Sequence, residues 1–383
     1  MNFINIRTYI SLILLVLLTA CGATQEPELT TKRIEPKPII TQETAAPKLN
    51  KRPKNIIMMI ADGTGISQIS ALQFYKQGPI NYDRFQHIGL IKTSSAIELI
   101  TDSAAGATAF ASGIKTYNGA IGVDTDSIPV ITILEQLEER KYDTGVIATS
   151  TITHATPASF YAHVDYRKKE ALIATDLLNS KVDFFAGGGR KFFNAREDGK
   201  DYITLLRNKG FEMETENLDP KSIMDGEQKY GYLLADDGMP KMIEGRGNFL
   251  VDATKLGIQR LSKNKKGFFL MVEGSQVDWG GHNNEAAYLT GEIIDFDNAI
   301  GAVLDYAEKD GNTLVIVTAD HETGGFTLAA DNGNYNRILP VFSTEGHSAT
   351  MVPVFAYGPG AENFTGIYEN TEIYKKLKKL LKL

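Results

Sequence analysis

From Lys54 onward, short runs of apolar and β-branched residues alternate with longer stretches in which apolar residues recur every three to four positions. Residues 55–60, 144–148, 182–186, 268–272, 313–318 and 352–357 read as buried strands. Residues 130–138, 168–178, 202–208, 251–262 and 285–307 read as helices; the last places Leu289, Ile293, Phe296, Ile300, Val303 and Leu304 on one face. This alternation predicts an α/β, three-layer sandwich with a large, mostly parallel central sheet. Residues 210–247 and 329–344 are polar and turn-rich, and are expected to be surface excursions. Gly187-Gly188-Gly189 reads as a turn after a strand and lacks the spacing of a dinucleotide loop. No internal repeat is visible.

The first twenty residues break the pattern. Arg7 is followed by an apolar run from Tyr9 to Leu18 that includes Ser11, the charged and apolar regions of an export signal, too short and too lightly flanked for a transmembrane helix. Leu18-Thr19-Ala20-Cys21-Gly22 looks like a bacterial lipobox, in which Cys21 is lipidated and becomes the mature N-terminus; the bland alternative is an ordinary cleaved signal with an incidental cysteine. Residues 22–53 are rich in Pro, Thr, Glu and Lys and read as a flexible tether. The expected organisation is therefore a signal peptide over 1–20, a lipidated cysteine and tether over 21–53, and one catalytic domain over 54–383. This predicts an exported, membrane-anchored lipoprotein, extracytoplasmic or periplasmic.

Composition narrows the chemistry. The 383 residues carry a formal charge of −7, which argues against a nucleic-acid partner. Cys21 is the single cysteine, so neither an internal disulfide nor a thiolate metal site is available.

Acids and histidines gather in short strings: Asp62-Gly63-Thr64-Gly65, Thr101-Asp102-Ser103-Ala104, His154-Ala155-Thr156-Pro157, Glu273 with Asp278 and His282, Asp320-His321-Glu322-Thr323, and Gly346-His347. Carboxylates mixed with imidazoles and no thiolate suit catalytic zinc with accompanying magnesium rather than a structural zinc site. Asp62, Glu273 and Asp320-His321 each follow a predicted strand, where open α/β sheets present ligands. One such aspartate would read as a helix cap. Three together point to a site.

The strings TDSAAGATAFASGIKTYNGAIGVD, HATPASFYAHVDYRK, VEGSQVDWGGH, VTADHETGGF and EGHSATMVPVFAYGPG resemble the alkaline phosphatases, in the family's order and with compatible spacing from about Lys54 to the C-terminus. A compact bacterial branch is the most similar. The resemblance implies hydrolysis of small phosphate monoesters with two Zn2+ and one Mg2+ per site. It makes Ser103 the nucleophile that forms a phosphoserine intermediate, and Arg167 the phosphate clamp, whose planar fork holds two oxygens. It places one zinc on Asp62, Asp320 and His321 to ionise Ser103. The other lies on Asp278, His282 and His347, to stabilise the leaving oxygen and then activate water. Magnesium falls to Asp62, Thr156 and Glu273. A homodimer is common among such relatives.

Two positions depart from the best-known bacterial pattern: His154 stands where that pattern has aspartate, and Trp279 where it has lysine. His154 is expected behind the ligands rather than among them. Asp102 either orients Arg167 or caps its own helix. His163 is expected to serve packing or outer hydrogen bonds, and His87 to be structural. Residues 373–383 form a basic amphipathic helix, expected to pack on the sheet; contact with an anionic membrane is its other reading. Two further readings of the whole are kept: a related phosphodiesterase, which ordinarily lacks Arg167 and the third metal set, and a zinc-binding surface lipoprotein without catalysis, which has no use for Ser103 and Arg167.

Overall fold

The computed structural model describes residues 52–383. The signal segment, Cys21 and all but the end of the tether lie outside the described residues. The chain begins with β1 (Asn55–Ala61), α1 (Ile66–Tyr75), β2 (His87–Lys92), α2 (Ser103–Ser112), α3 (Ile133–Glu139), β3 (Asp143–Thr151), α4 (Ala155–Ala158) and α5 (Glu170–Asn179). It continues through β4 (Phe184–Gly188), α6 (Lys191–Asn194), α7 (Tyr202–Asn208), β5 (Phe211–Glu214), β6 (Lys229–Leu233), α8 (Phe249–Leu261), β7 (Phe268–Gly274), α9 (Gln276–His282) and α10 (Ala286–Asp310). Then come β8 (Thr313–Thr318), β9 (Glu322–Thr323), β10 (Thr327–Asp331), β11 (Asn334–Val341), β12 (His347–Ser348), β13 (Val352–Tyr357), β14 (Gly366–Glu369) and α11 (Glu372–Leu381).

Ten strands form one sheet in the order β14-β2-β13-β8-β1-β7-β3-β4-β6-β5. Only β13 runs against the others. Alternation along β1 sorts the two cores: Ile56, Met58 and Ile60 join one cluster, Ile57, Met59 and Ala61 the other. A strand covered on both faces reads as a continuous apolar run, which is what its sequence shows. One core receives α2, α3, α5 and α11; the other receives α1, α8 and α10. All six residues expected on the core face of α10 are fully buried. The three-layer sandwich expected from the pattern is the observed fold.

Three expectations need correction. Residues 210–247 are not merely a surface excursion, because β5 and β6 extend the main sheet at its edge. Phe211 and Met213 do alternate with exposed acids, but the polar stretch between the two strands hides that short signal. Gly187 and Gly188 lie within β4, and only Gly189, at φ +94°, turns the chain. Helix α3 starts three residues later than expected, because Thr132 and Glu135 form a capping box that fixes its first turn. By contrast, β10 and β11 do form a separate exposed hairpin within the second polar stretch.

Candidate active site

The site lies at the carboxyl ends of the central strands. Asp62 follows β1, Glu273 lies near the end of β7, and Asp320-His321 follow β8. His154 and Thr156 sit at the start of α4, just beyond β3. Asp278 and His282 are one helical turn apart on α9, so their side chains share a face. His347 arrives on β12, which pairs with β9 and sets His347 opposite Thr323. Gly63 permits the convergence: at φ +71°, its N–H donates to Asp320 Oδ1 at 3.3 Å, and a Cβ there would come within 2.6 Å of the Asp278 backbone.

Three ligand groups result: Asp62, Asp320 and His321; Asp278, His282 and His347; and Asp62, His154 and Glu273, each with donor atoms within 4.8 Å of one another. The first two are the two expected zinc sets. In the second, His282 Nδ1 faces the Glu345 carbonyl at 2.5 Å and His347 Nδ1 faces the Thr101 carbonyl at 2.8 Å. A carbonyl only accepts, so each Nδ1 carries hydrogen and, in the neutral ring, each Nε2 a lone pair. Those Nε2 atoms lie 3.1 Å apart, with Asp278 Oδ1 at 3.4 and 3.6 Å. Three acceptors converge here, and only Asp278 Oδ1 has a donor, the Thr323 hydroxyl, so the set suits a cation.

The first group makes the same case by burial. Both oxygens of Asp62 and Oδ2 of Asp320 are buried without a hydrogen-bond partner. Burial first, then the Asp320, Asp278 and Glu273 carboxylates, pushes Asp62 well above the usual carboxylate range. Asp320 is raised by burial too. His321 is pressed well below its ordinary value by burial and then by His347, whose ring stacks on it at 3.5 Å. A bound cation reverses this penalty on the carboxylates, so the residues fit a metal.

At the third group, one Glu273 oxygen accepts from Ser275 and Ser150 while the other is buried unpaired, and burial raises the carboxyl to about 7. Thr156 Oγ1 lies buried beside it with no hydrogen bond of ordinary geometry. Oxygen donors of this kind fit a hard divalent ion. His154 fits less well. Arg167 Nη2 meets His154 Nε2 at 3.2 Å, and a guanidinium can only donate, so Nε2 accepts and the neutral ring carries its proton on Nδ1. Burial and Arg167 lower its pKa to about 3. Through Nε2 the ring therefore serves Arg167. Trp279 is edge-on to His154 at 6.0 Å, and a Cβ on Gly238 would come within 2.7 Å of its indole.

Ser103 opens α2 and is buried, with Oγ 3.3 Å from His321 Nε2. This is no triad. His321 Nδ1 meets the Thr323 hydroxyl at 3.2 Å rather than a carboxylate, and that hydroxyl donates to Asp278. Asp102 fills both expected roles: Oδ1 accepts from Ala105 N at 3.0 Å as a helix cap, while Oδ2 accepts from Arg167 Nη1 at 2.9 Å and Gly119 N at 3.0 Å. Each terminal nitrogen of Arg167 still has one hydrogen for a phosphate oxygen.

Sequence reasoning named the candidate ligands and missed the groups that hold them in place. Thr323, Ser275 and Ser150 gave no signal of their own, and the carbonyls of Thr101 and Glu345 have none to give. His163, expected to serve packing or outer hydrogen bonds, ties α3 to the loop before it. Its Nδ1 lies 2.7 Å from the Gly122 carbonyl and its Nε2 2.9 Å from Glu135, so both nitrogens face acceptors and the charged ring is favoured. Despite burial, Glu135 raises the pKa of His163, and His163 lowers that of Glu135. The histidine's contribution is complete below its ordinary 6.5 and lost as pH rises through the raised value; the glutamate's is complete above 4.5 and lost as pH falls through the lowered one. The stability difference between wild type and His163→Phe should therefore be largest between those two values and shrink on alkaline titration. Denaturation at stepped pH measures it, and a pH-independent difference contradicts the charged pair.

A cluster of buried acids and imidazoles beside a helix-opening serine and a clamped arginine, on an open α/β sheet, defines a metal-binding hydrolase. The alkaline phosphatase family profile matches residues 53–339 and 330–383. Alkaline phosphatase 3 of Bacillus subtilis is 35% identical, the match covering 86% of this chain and 89% of that protein. The alkaline phosphatase of the Antarctic bacterium TAB5 superposes with a TM-score of 0.85 at 58% identity, over 87% of this chain and 99% of that one. A variant of the TAB5 enzyme, with aspartate in place of a histidine and magnesium in its M3 site, gives 0.84 and 57% over 88% and 99%. The chain belongs to the alkaline phosphatase family, and its activity is the hydrolysis of phosphate monoesters.

Proposed function

We propose that hydrolysis runs through a phosphoserine on Ser103, with zinc held by Asp62, Asp320 and His321 and by Asp278, His282 and His347, and magnesium by Asp62, Glu273 and Thr156. The observation that carries this is the meeting of Ser103 Oγ with His321 at 3.3 Å while Asp102 holds Arg167 at 2.9 Å. When bound, the metals supply positive charge that lowers the pKa of hydroxyl and water and stabilises a departing oxygen. Arg167 binds two nonbridging oxygens and turns the phosphorus toward Ser103. Ser103 Oγ forms the new P–O bond as the bond to the alcohol oxygen breaks; water then attacks the phosphoserine from the opposite side, releasing phosphate and restoring the hydroxyl. His154 and Asp102 keep the guanidinium aimed throughout. We take His154 as the counterpart of the histidine exchanged in the TAB5 variant, which supports a third site tuned by this position.

Comparing a phosphate monoester with a diester, at verified zinc and magnesium content, tests the reading. The monoester should turn over faster by orders of magnitude, since a diester leaves Arg167 one fewer free anionic oxygen. Comparable rates would point to a diesterase instead.

The proposed setting is a lipid anchor at Cys21 on the outer side of a bacterial membrane. The lipobox-like string and the polar tether support it. Cys21→Ala should release active enzyme or leave an unprocessed precursor; a membrane fraction that is unchanged and carries no lipid label in the wild type contradicts the anchor.

A further inference from the structure

The strand directions give the molecule two chemically different ends. Because every strand of the main sheet except β13 runs the same way, the loops entering those strands share the end opposite the site. Cations gather there. Lys141 precedes β3, Lys181 precedes β4, Lys265 and Lys266 precede β7, and Lys309 precedes β8; all five are exposed. Helix α11 adds to them: its apolar residues Ile373 and Leu377 are buried in the core, while Lys379 and Lys382 are exposed. Its C-terminus is fixed at this end by Arg140 Nη1, which donates to the Lys382 carbonyl at 2.8 Å. Arg140, Lys209 and Lys263 are exposed in the same loops; the exposed acids there are Asp83, Glu139, Asp225, Glu227, Asp305, Glu308 and Glu362, of which Asp305 and Glu308 are both paired with Arg84. In a chain of net charge −7, a cationic end is segregation of charge, not composition.

The N-terminal segment leaves from this same end. Lys54 N donates to the Asn312 carbonyl at 2.8 Å, between the entries to β1 and β8, and the basic and apolar signal-like residues precede it. We propose that this basic end is a docking surface for an anionic lipid bilayer, which holds the active site facing away from the membrane. The occupant follows from charge complementarity and from where the chain emerges, and the proposal rests on the anchor reading for its proximity to a bilayer. A lipid anchor at Cys21, about thirty residues before the domain, does not by itself fix how the domain is oriented. Several lysines within a Debye length of anionic headgroups remove that freedom, and salt weakens their effect.

The test uses the full chain carrying Cys21→Ala, with and without Lys265→Glu, Lys266→Glu and Lys379→Glu together, and measures partitioning onto phosphatidylglycerol-containing and pure phosphatidylcholine vesicles. The readout is the ratio between the two, so an apolar N-terminal segment that inserts into both cancels. At about 1 kcal/mol for each basic residue near an anionic surface, the triple reversal should lower the ratio about a hundredfold, with turnover of a soluble monoester unchanged. A ratio near one in the parent chain, or one indifferent to the reversal, overturns the docking surface. Tighter retention on a duplex oligonucleotide than on the anionic vesicles assigns the face to nucleic acid and overturns it as well. Lipid labelling of wild-type Cys21 is scored separately: its absence removes the anchor, while an intact anionic preference still supports the surface.

Discussion

Ser103→Ala should keep the fold and the bound metals and lose turnover by roughly three orders of magnitude or more, because deleting a nucleophile removes the covalent path and leaves only charge stabilisation and binding. The substitution is structurally mild. Ser103 occupies the first position of α2, where alanine is tolerated, and the cap is made by Asp102, which still accepts from Ala105 N. Arg167 and its partners are untouched, so competitive binding of phosphate should persist while kcat falls. Quenched-flow trapping with labelled substrate should mark wild-type Ser103 and leave the variant unlabelled. Label retained in the variant, or kcat close to wild type, rules out Ser103 as the phosphorylated residue.

The parts of the fold legible in the sequence were those in which burial imposes a period. Strand β1 is apolar from Ile56 to Ala61 because both faces are covered, and α10 repeats its apolar face through most of its length. The strands at and next to the sheet's edges were less visible. β2 has only two buried residues among six, and β5 is four residues long. The candidate site was legible through its acids and histidines, since carboxylates and imidazoles at strand ends carry chemistry in their side chains. What holds those ligands was not. Glu345 and Thr101 act through backbone carbonyls, which any residue supplies, and Thr323 acts through a hydroxyl common in any strand. The two roles of Asp102 could not be separated from the sequence because one carboxylate performs both, one oxygen for the helix and one for the arginine.

Removing the metals should abolish turnover and change how stability responds to pH. Without bound cations, burial drives Asp62, Asp320 and Glu273 toward the protonated form, and the Asp320 carboxylate adds to it for Asp62 and Glu273. Glu273 illustrates the sign: its carboxyl ordinarily titrates at 4.5 and is raised by burial to about 7, so the folded chain holds a proton across that interval which the unfolded chain releases. Stability of the metal-free protein should therefore fall as pH climbs from 4.5 to about 7, and level off above it for this group. With zinc and magnesium restored the carboxylates are paired while ionised, and the slope should flatten or reverse. His347→Ala isolates one set. It removes one of two inward-facing Nε2 atoms and the ring stacked on His321, while Asp62, Glu273 and Asp320 keep their places. Since losing a group that merely supports a ligand typically costs 10- to 100-fold, losing the ligand itself should cost more than about 100-fold in turnover, with zinc stoichiometry reduced. Metal analysis, turnover and chemical denaturation across the pH range can be run on the same samples. Full activity after verified chelation, or a metal-free stability that rises steadily through the interval, contradicts the cation sites inferred from these buried unpaired acids.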